Sequence, residues 1–204
     1  MPGHARQLPL WLKLLFTVWI LFWAPAYAVM LGAQNYFWLC NLASFLILIG
    51  LWMENRLLLS MQWLAVLLVG LFWALDVGVA WLAGFHPIGG TEYMFDPEHP
   101  PLARVLSLYH LVLPFVAGFA ILRLGYESRA LIWQTLLTWV VIPLTFLFTE
   151  AERNINWVQG PFGMQQDILP LPVYLALLML VWPLVLYLPV HGLMRFFQQR
   201  EKRR

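Results

Sequence analysis

Six runs of 18 or more mostly apolar residues fill this sequence, at 10–31, 36–53, 57–83, 105–124, 131–148 and 169–194. A helix needs about 20 residues to cross a hydrocarbon layer roughly 30 Å thick. Each run therefore predicts one membrane-spanning helix. The expected fold class is an all-α, polytopic six-helix transmembrane bundle, with residues 1–204 forming a single integral membrane domain. The third and sixth runs are long enough to tilt or to extend past the core. Pro25, Pro114, Pro143, Pro183 and Pro189 stand where such helices kink.

Composition excludes the main alternative. Only 11% of residues are charged and 62% are hydrophobic, whereas a soluble domain carries about 25% charged residues. Such a chain cannot clothe a water-facing surface. Twelve Trp and seven Tyr add the amphipathic aromatics that gather at headgroup level. The net charge of +2 sits in the terminal run from Arg200 to Arg204, which reads as a topology signal and a contact for anionic lipid. The expected partners are membrane lipids and not nucleic acid, and oligomeric state stays open. Cys40 is the one cysteine, so no intrachain disulfide forms.

The first thirty residues carry features of a signal peptide: Arg6, an apolar run and Ala26-Tyr27-Ala28 as a cleavage-like triplet. The apolar run, however, is about twice the length of a usual signal core, and Lys13 stands early in it. A retained first helix is expected.

Orientation follows from the basic residues. With the N-terminus inside, ten face the cytoplasm: Arg6, Lys13, Arg56, Arg123, Arg129, Arg195, Arg200, Lys202, Arg203 and Arg204. Two, Arg104 and Arg153, face outward. Positive residues concentrate on cytoplasmic loops, so both termini are expected inside, in a bacterial inner (plasma) membrane. Most carboxylates fall on the other side, at Asp76, Glu92, Asp96, Glu98, Glu150, Glu152 and Asp167. The long polar connections at 84–104 and 149–168 lie there too. Long polar loops more often carry function than short ones, which makes the outside the expected working face.

Several reactive side chains share a depth. At ~1.5 Å per residue, Cys40 sits about 8 Å and His110 about 9 Å below the outer boundary. By the same arithmetic Asp76 lies about 12 Å from the outer end of its helix. An ionisable group in hydrocarbon costs several kcal/mol unless it finds a partner inside the bundle. His110 and Asp76 are therefore expected to point inward and to meet, either as a structural hydrogen bond or as part of a catalytic group. A lone buried Cys is more often a small hydrophobe than a nucleophile. A His at matching depth raises its standing, because a Cys–His pair supplies a thiolate near neutral pH. Asn35, Asn41, Asn154 and Asn156 offer amide donors for a developing oxyanion. The loop from His86 to His99 holds two His and three carboxylates, which are zinc-ligand types, but in no recognised ligand spacing. A solvated loop without metal or cofactor is the expectation.

The segment Leu39-Cys40-Asn41-Leu42-Ala43 resembles the His-Leu-Cys-Asp-Leu type motif of the bacterial YwaF-like integral membrane proteins, a group that includes mammalian transmembrane protein 164. Trp38 stands where that family often has His, and Asn41 where it has Asp. His110 early in the fourth run follows the family's order. So do Asn154-Ile155-Asn156-Trp157, where the family has an Asn-Tyr-Gly type turn, and Leu169-Pro170-Leu171-Pro172-Val173-Tyr174, where it has a Pro-Trp-Tyr type motif. The resemblance implies six helices and a Cys/His acyltransferase that moves fatty acyl chains between phospholipids, with Cys40 as nucleophile and His110 as base.

Asp76 is then expected to orient His110 or support the bundle, Asn41, Asn154 or Asn156 to stabilise the oxyanion, and Trp157 to stand near the cavity rim with Phe37 and Trp38. Two alternatives stay open. One is a metal-dependent hydrolase using His110 and Asp76 with His86 or His99. The other is a non-catalytic lipid-binding or partner subunit.

Overall fold

The computed structural model describes residues 7–164 and 166–202. Arg6, Arg203 and Arg204 of the basic set lie outside the described residues. Among those described the chain is helical, with no strand: α1 (Leu10–Leu31), α2 (Leu39–Met53), α3 (Arg56–Ala83), α4 (Pro101–Leu106), α5 (Tyr109–Leu124), α6 (Ala130–Phe148), α7 (Leu171–Val181) and α8 (Leu188–Lys202). A π-helical segment, Trp182–Tyr187, joins α7 to α8 and contains Pro183. That proline has no N–H for the regular ladder, and a π-turn is one way to absorb the loss.

The surface identifies the solvent. On α1 one stripe is buried, at Leu12, Phe16, Ile20, Trp23 and Tyr27, the three-and-four spacing of a single helix face. The opposite face shows Leu14, Leu15, Val18, Leu21 and Phe22 to the exterior. Such apolar exterior recurs on the other long helices, far beyond the patches tolerated in water. Five spans are long and apolar enough to cross a membrane: Leu10–Leu31, Arg56–Ala83, Pro101–Leu124, Ala130–Phe148 and Leu171–Arg200. The chain is an integral membrane protein.

α2 is the short member. The expected helix over 36–53 begins only at Leu39, because Ala33–Phe37 form a 3-10 turn. Side-chain amides account for the shift: Asn41 Nδ2 donates to the Asn35 carbonyl at 2.7 Å, and Asn156 Nδ2 to that of Phe37 at 2.7 Å. Likewise, the fourth span is broken. α4 starts at Pro101, and Ser107-Leu108 interrupt the helix before α5.

α3 is central and packs against α2, α5, α6 and the π segment. Its approach to α5 is close because Gly70 and Gly118 lie in the contact. A Cβ on Gly70 would stand 2.5 Å from the His110 carbonyl oxygen, and one on Gly118 would stand 2.6 Å from the Trp63 ring. Pro114 lies four residues after His110 and has no N–H for that carbonyl.

The two ends of the bundle differ. At one end, where α1 begins and α8 runs out, tight connections are pinned by Lys13–Glu54 at 2.6 Å, Arg56–Glu127 at 2.6 Å and Tyr126–His191 at 2.7 Å. We call this the terminal end. The other, the loop end, carries the connections 84–100 and 149–170.

Candidate functional site

At the loop end the first polar centre is Asp76, on α3 and only 1% exposed. Its Oδ1 accepts the backbone N–H of Ile88 at 2.7 Å and of Gly89 at 3.0 Å. Its Oδ2 meets Nδ1 of His86 at 2.8 Å and accepts the Thr91 hydroxyl. A buried carboxylate survives in such a place only when its lone pairs are met, and four donors meet them here. Asp76 therefore folds the 84–92 loop back over the end of α3 and fixes the ring of His86. The expected partner, His110, is not among its hydrogen-bond partners.

The second centre gathers α1, α2, α4 and α5 around Tyr109. The Tyr109 hydroxyl reaches Cys40 Sγ at 3.2 Å and lies in hydrogen-bond contact with Asn41 Oδ1. Tyr27 Oη and Ser107 Oγ are 2.6 Å apart, and Ser107 Oγ donates to the Ala103 carbonyl at 2.9 Å. Next to Tyr109, His110 Nδ1 lies 2.8 Å from the Ser107 carbonyl oxygen. A carbonyl only accepts, so Nδ1 carries the proton and Nε2 holds the lone pair. The His110 ring stacks on Trp73 with centroids 5.1 Å apart and 10° between planes. Trp73 Nε1 in turn donates to Tyr93 Oη at 2.9 Å. Tyr109 thus stands between Cys40 and His110, its hydroxyl on the thiol and its ring 4.2 Å from that of His110, while the thiol also reaches Asn41 Oδ1 at 4.0 Å.

The candidate oxyanion amides are drawn into the fold, Asn156 Nδ2 with two acceptors and Asn41 and Asn154 Nδ2 with one each. Asn41 is committed to Asn35 and Tyr109, and Asn156 accepts from Leu39 N–H at 2.9 Å and donates to Phe37 O and to Thr145 Oγ1 at 2.9 Å. Asn154 Oδ1 accepts from Gln159 N–H at 2.9 Å while its Nδ2 donates to Gly160 O at 2.8 Å. These bonds shape the 154–160 turn, in which Asn154, Asn156 and Trp157 take φ of 42°, 52° and 60°. Asn tolerates that left-handed region better than Trp does. Trp157 is held there by its neighbours: Tyr174 Oη donates to its carbonyl at 2.6 Å, and its ring lies against Phe162 and Trp182.

Three functional neighbours escaped the sequence reading. Tyr109, Trp73 and Ser107 look like ordinary interfacial or packing residues in one dimension. Only Tyr109 carried a usable signal, as a Tyr adjacent to an intramembrane His. Among the described residues no group of three or more His, Cys, Asp or Glu is placed to hold a metal ion. In the loop, burial pushes the pKa of the His99 imidazole below its ordinary value, Arg104 adds to that shift, and Asp96 opposes it. His99 Nε2 and Arg104 Nε are buried without a partner.

Chemically, the layer presents a thiol beside a hydroxyl donor, an imidazole with an unprotonated nitrogen, and a carboxylate-oriented second imidazole. These are parts for nucleophilic attack or for base-assisted hydrolysis. No family model, curated protein or solved structure matches the chain.

Proposed function

We propose that this protein is a six-pass membrane enzyme with both termini in the cytoplasm, acting on lipid acyl esters in the outer leaflet through Cys40. The ten-to-two division of basic residues supports the orientation, with the loop end outside. The observation that carries the chemistry is the 3.2 Å contact between the Tyr109 hydroxyl and Cys40 Sγ, beside an imidazole whose Nε2 is free to take a proton.

In the first half-reaction the Cys40 sulfur attacks the ester carbonyl as His110 takes the thiol proton. A C–S bond forms, the C–O bond breaks, and the leaving alkoxide regains the proton. In the second, a lysolipid hydroxyl or water attacks the thioester and frees the thiol. The single Tyr109 proton has two acceptors, Asn41 Oδ1 and the sulfur; turned to the sulfur, it lowers the cost of the thiolate. Oxyanion stabilisation falls to the second N–H of Asn41 Nδ2 or Asn154 Nδ2, each of which has one acceptor in the fold.

The test is chemical trapping. A short-chain fluorescent phospholipid should label the protein through a bond cleaved by neutral hydroxylamine, as thioesters are. Cys40→Ala should remove the label, and Cys40→Ser should convert it to a hydroxylamine-resistant ester. A label that survives Cys40→Ala would sink the assignment.

The 2.8 Å Asp76–His86 contact favours a second reading. There the oriented His86 activates water for direct hydrolysis, and Cys40 only packs. His86→Ala would then abolish lipid turnover while Cys40→Ala left it intact.

A further inference from the structure

Arg104 stands out at the loop end. The connections and helix ends around it are acidic, with Glu92, Asp96 and Glu98 all in the preceding loop. Nevertheless, among the described residues Arg104 forms no ion pair, whereas Arg153 pairs with Glu150 at 2.8 Å and Arg56 and Arg129 pair with Glu127. Its one hydrogen bond, from Nη1 to the Met94 carbonyl, is 3.5 Å long, the far edge of useful reach. Arg104 Nε is buried with no acceptor, and so is Nε2 of His99. The other two orphan nitrogens, on Trp23 and Trp63, are neutral indoles. An unpaired buried N–H on a guanidinium is costly, and the chemistry that relieves it is an anion with several acceptor oxygens.

Position narrows the anion. Arg104 lies on α4, six residues before His110 in the span Pro101–Leu124. Arg104 therefore precedes His110 on the way in from the loop end, nearer the water, with the Ser107-Leu108 break between them. A glycerophospholipid has the same order: its phosphate lies at the interface, and its acyl esters hang deeper from the same glycerol. We infer that Arg104 binds the phosphate of a phospholipid headgroup and so suspends the acyl ester at the level of Cys40 and His110. This inference rests on the lipid-directed reading above for the role of the site, but not for its existence. Arg suits the task because its planar fork pairs with two phosphate oxygens at once.

The experiment measures binding by the full-length protein in detergent at low salt, in a Cys40→Ala background so that no turnover intervenes. Three probes are compared: dihexanoyl phosphatidylglycerol, dihexanoylglycerol and inorganic phosphate. The expected result is that the phospholipid binds at least about tenfold more tightly than the diacylglycerol. Arg104→Gln should weaken phospholipid binding by about tenfold or more, the range for a lost charged hydrogen bond, and leave diacylglycerol binding unchanged. Arg104→Lys, which keeps the cation and loses the fork, should fall between. It decides the matter if the Gln variant does not fold. Equal binding of the two lipids, or no change in either variant, would overturn the headgroup site. Inorganic phosphate binding as tightly as the phospholipid would overturn its assignment to a lipid. Intact, Arg104-dependent binding in a protein that forms no thioester would sink the acyl-transfer reading and leave this site standing.

Discussion

The bundle holds two buried polar layers, and they are built on different principles. Near the terminal end, Gln62 faces Gln134 at 3.4 Å and Thr138 faces Tyr187 at 2.8 Å, with Gln62, Gln134, Thr138 and Tyr187 at most 1% exposed. These are neutral groups that satisfy one another across α3, α6 and the π segment. At the loop end, beside neutral buried groups such as Asn41, Ser107 and Asn156, stand a buried carboxylate, a half-buried thiol and two half-buried imidazoles, and their bonds leave reactive valences over. Each ring has one nitrogen engaged through Nδ1, and Cys40 keeps an unsubstituted sulfur. Neutral reciprocal pairs hold helices together in a membrane. Ionisable groups there are expensive and mark function. The contrast favours the loop end as the place of the proposed chemistry.

The sharpest way to break this contrast is at the thiol. Cys40→Ala should abolish acyl-enzyme formation, and Tyr109→Phe should slow it by roughly ten- to a hundredfold through loss of the donor to sulfur. Both are read from initial rates of labelling. An unchanged Tyr109→Phe rate would reduce that layer to packing.

Next in size is Asp76→Ala, which strands two backbone amides, a hydroxyl and an imidazole. A loss of about 3 kcal/mol is expected, seen as a lower unfolding temperature and rapid proteolysis within 84–100. A loop as resistant as in the parent protein would show that the carboxylate is not its anchor.

Gly70→Ala should cost about 1–3 kcal/mol, because the new methyl meets the His110 backbone. Gly78→Ala on the same helix, with nothing within 4 Å of its Cβ, is the control and should be neutral. Equal unfolding temperatures for the two variants would mean that the α3–α5 approach is looser than described.

At the terminal end the expected effects are small. Arg56 and Arg129 hold the Glu127 carboxyl down at about 2, from 4.5. A depressed acid stabilises the fold above its unfolded value and loses that contribution as pH falls. Stability from this cluster should thus be flat above pH 5 and decline between 4.5 and 2. Both arginines are largely exposed, so the effect stays below about 1 kcal/mol. Arg56→Gln should shift the decline to higher pH, and a pH-independent difference between the two proteins would refute the pairing. Smallest of all, replacing Gln62 and Gln134 together by Leu should change stability by no more than about 0.6 kcal/mol, since a neutral pair removed whole leaves no orphan. A large loss would make that layer more than glue.

Much of this was legible in one dimension. The apolar runs mark the helices because the membrane sets a length and forbids charge, and both constraints act on composition. Residues 57–83 and 131–148 match α3 and α6 to within one residue at each end. The late start of α2 was not legible, because it depends on Asn156, more than a hundred residues away, reaching the carbonyl of Phe37. The break between α4 and α5 also lies inside one apolar stretch, and apolarity alone does not register it.

Depth arithmetic brought Cys40, His110 and Asp76 to one end of the bundle, because rise per residue is a property of the helix itself. Rotation about the helix axis and the path of the loops are not, and those decided the partners. Asp76 turned out to serve His86 because the 84–92 loop folds back onto α3. Cys40 met Tyr109 because α5 enters beside α2 with that ring turned inward. Local sequence thus determined which residues form helices and how deep each lies, since both follow from short-range hydrogen bonding and transfer into hydrocarbon. Tertiary packing alone decided which polar atom meets which, since a hydrogen bond depends on ångström-scale placement that several distant segments set together.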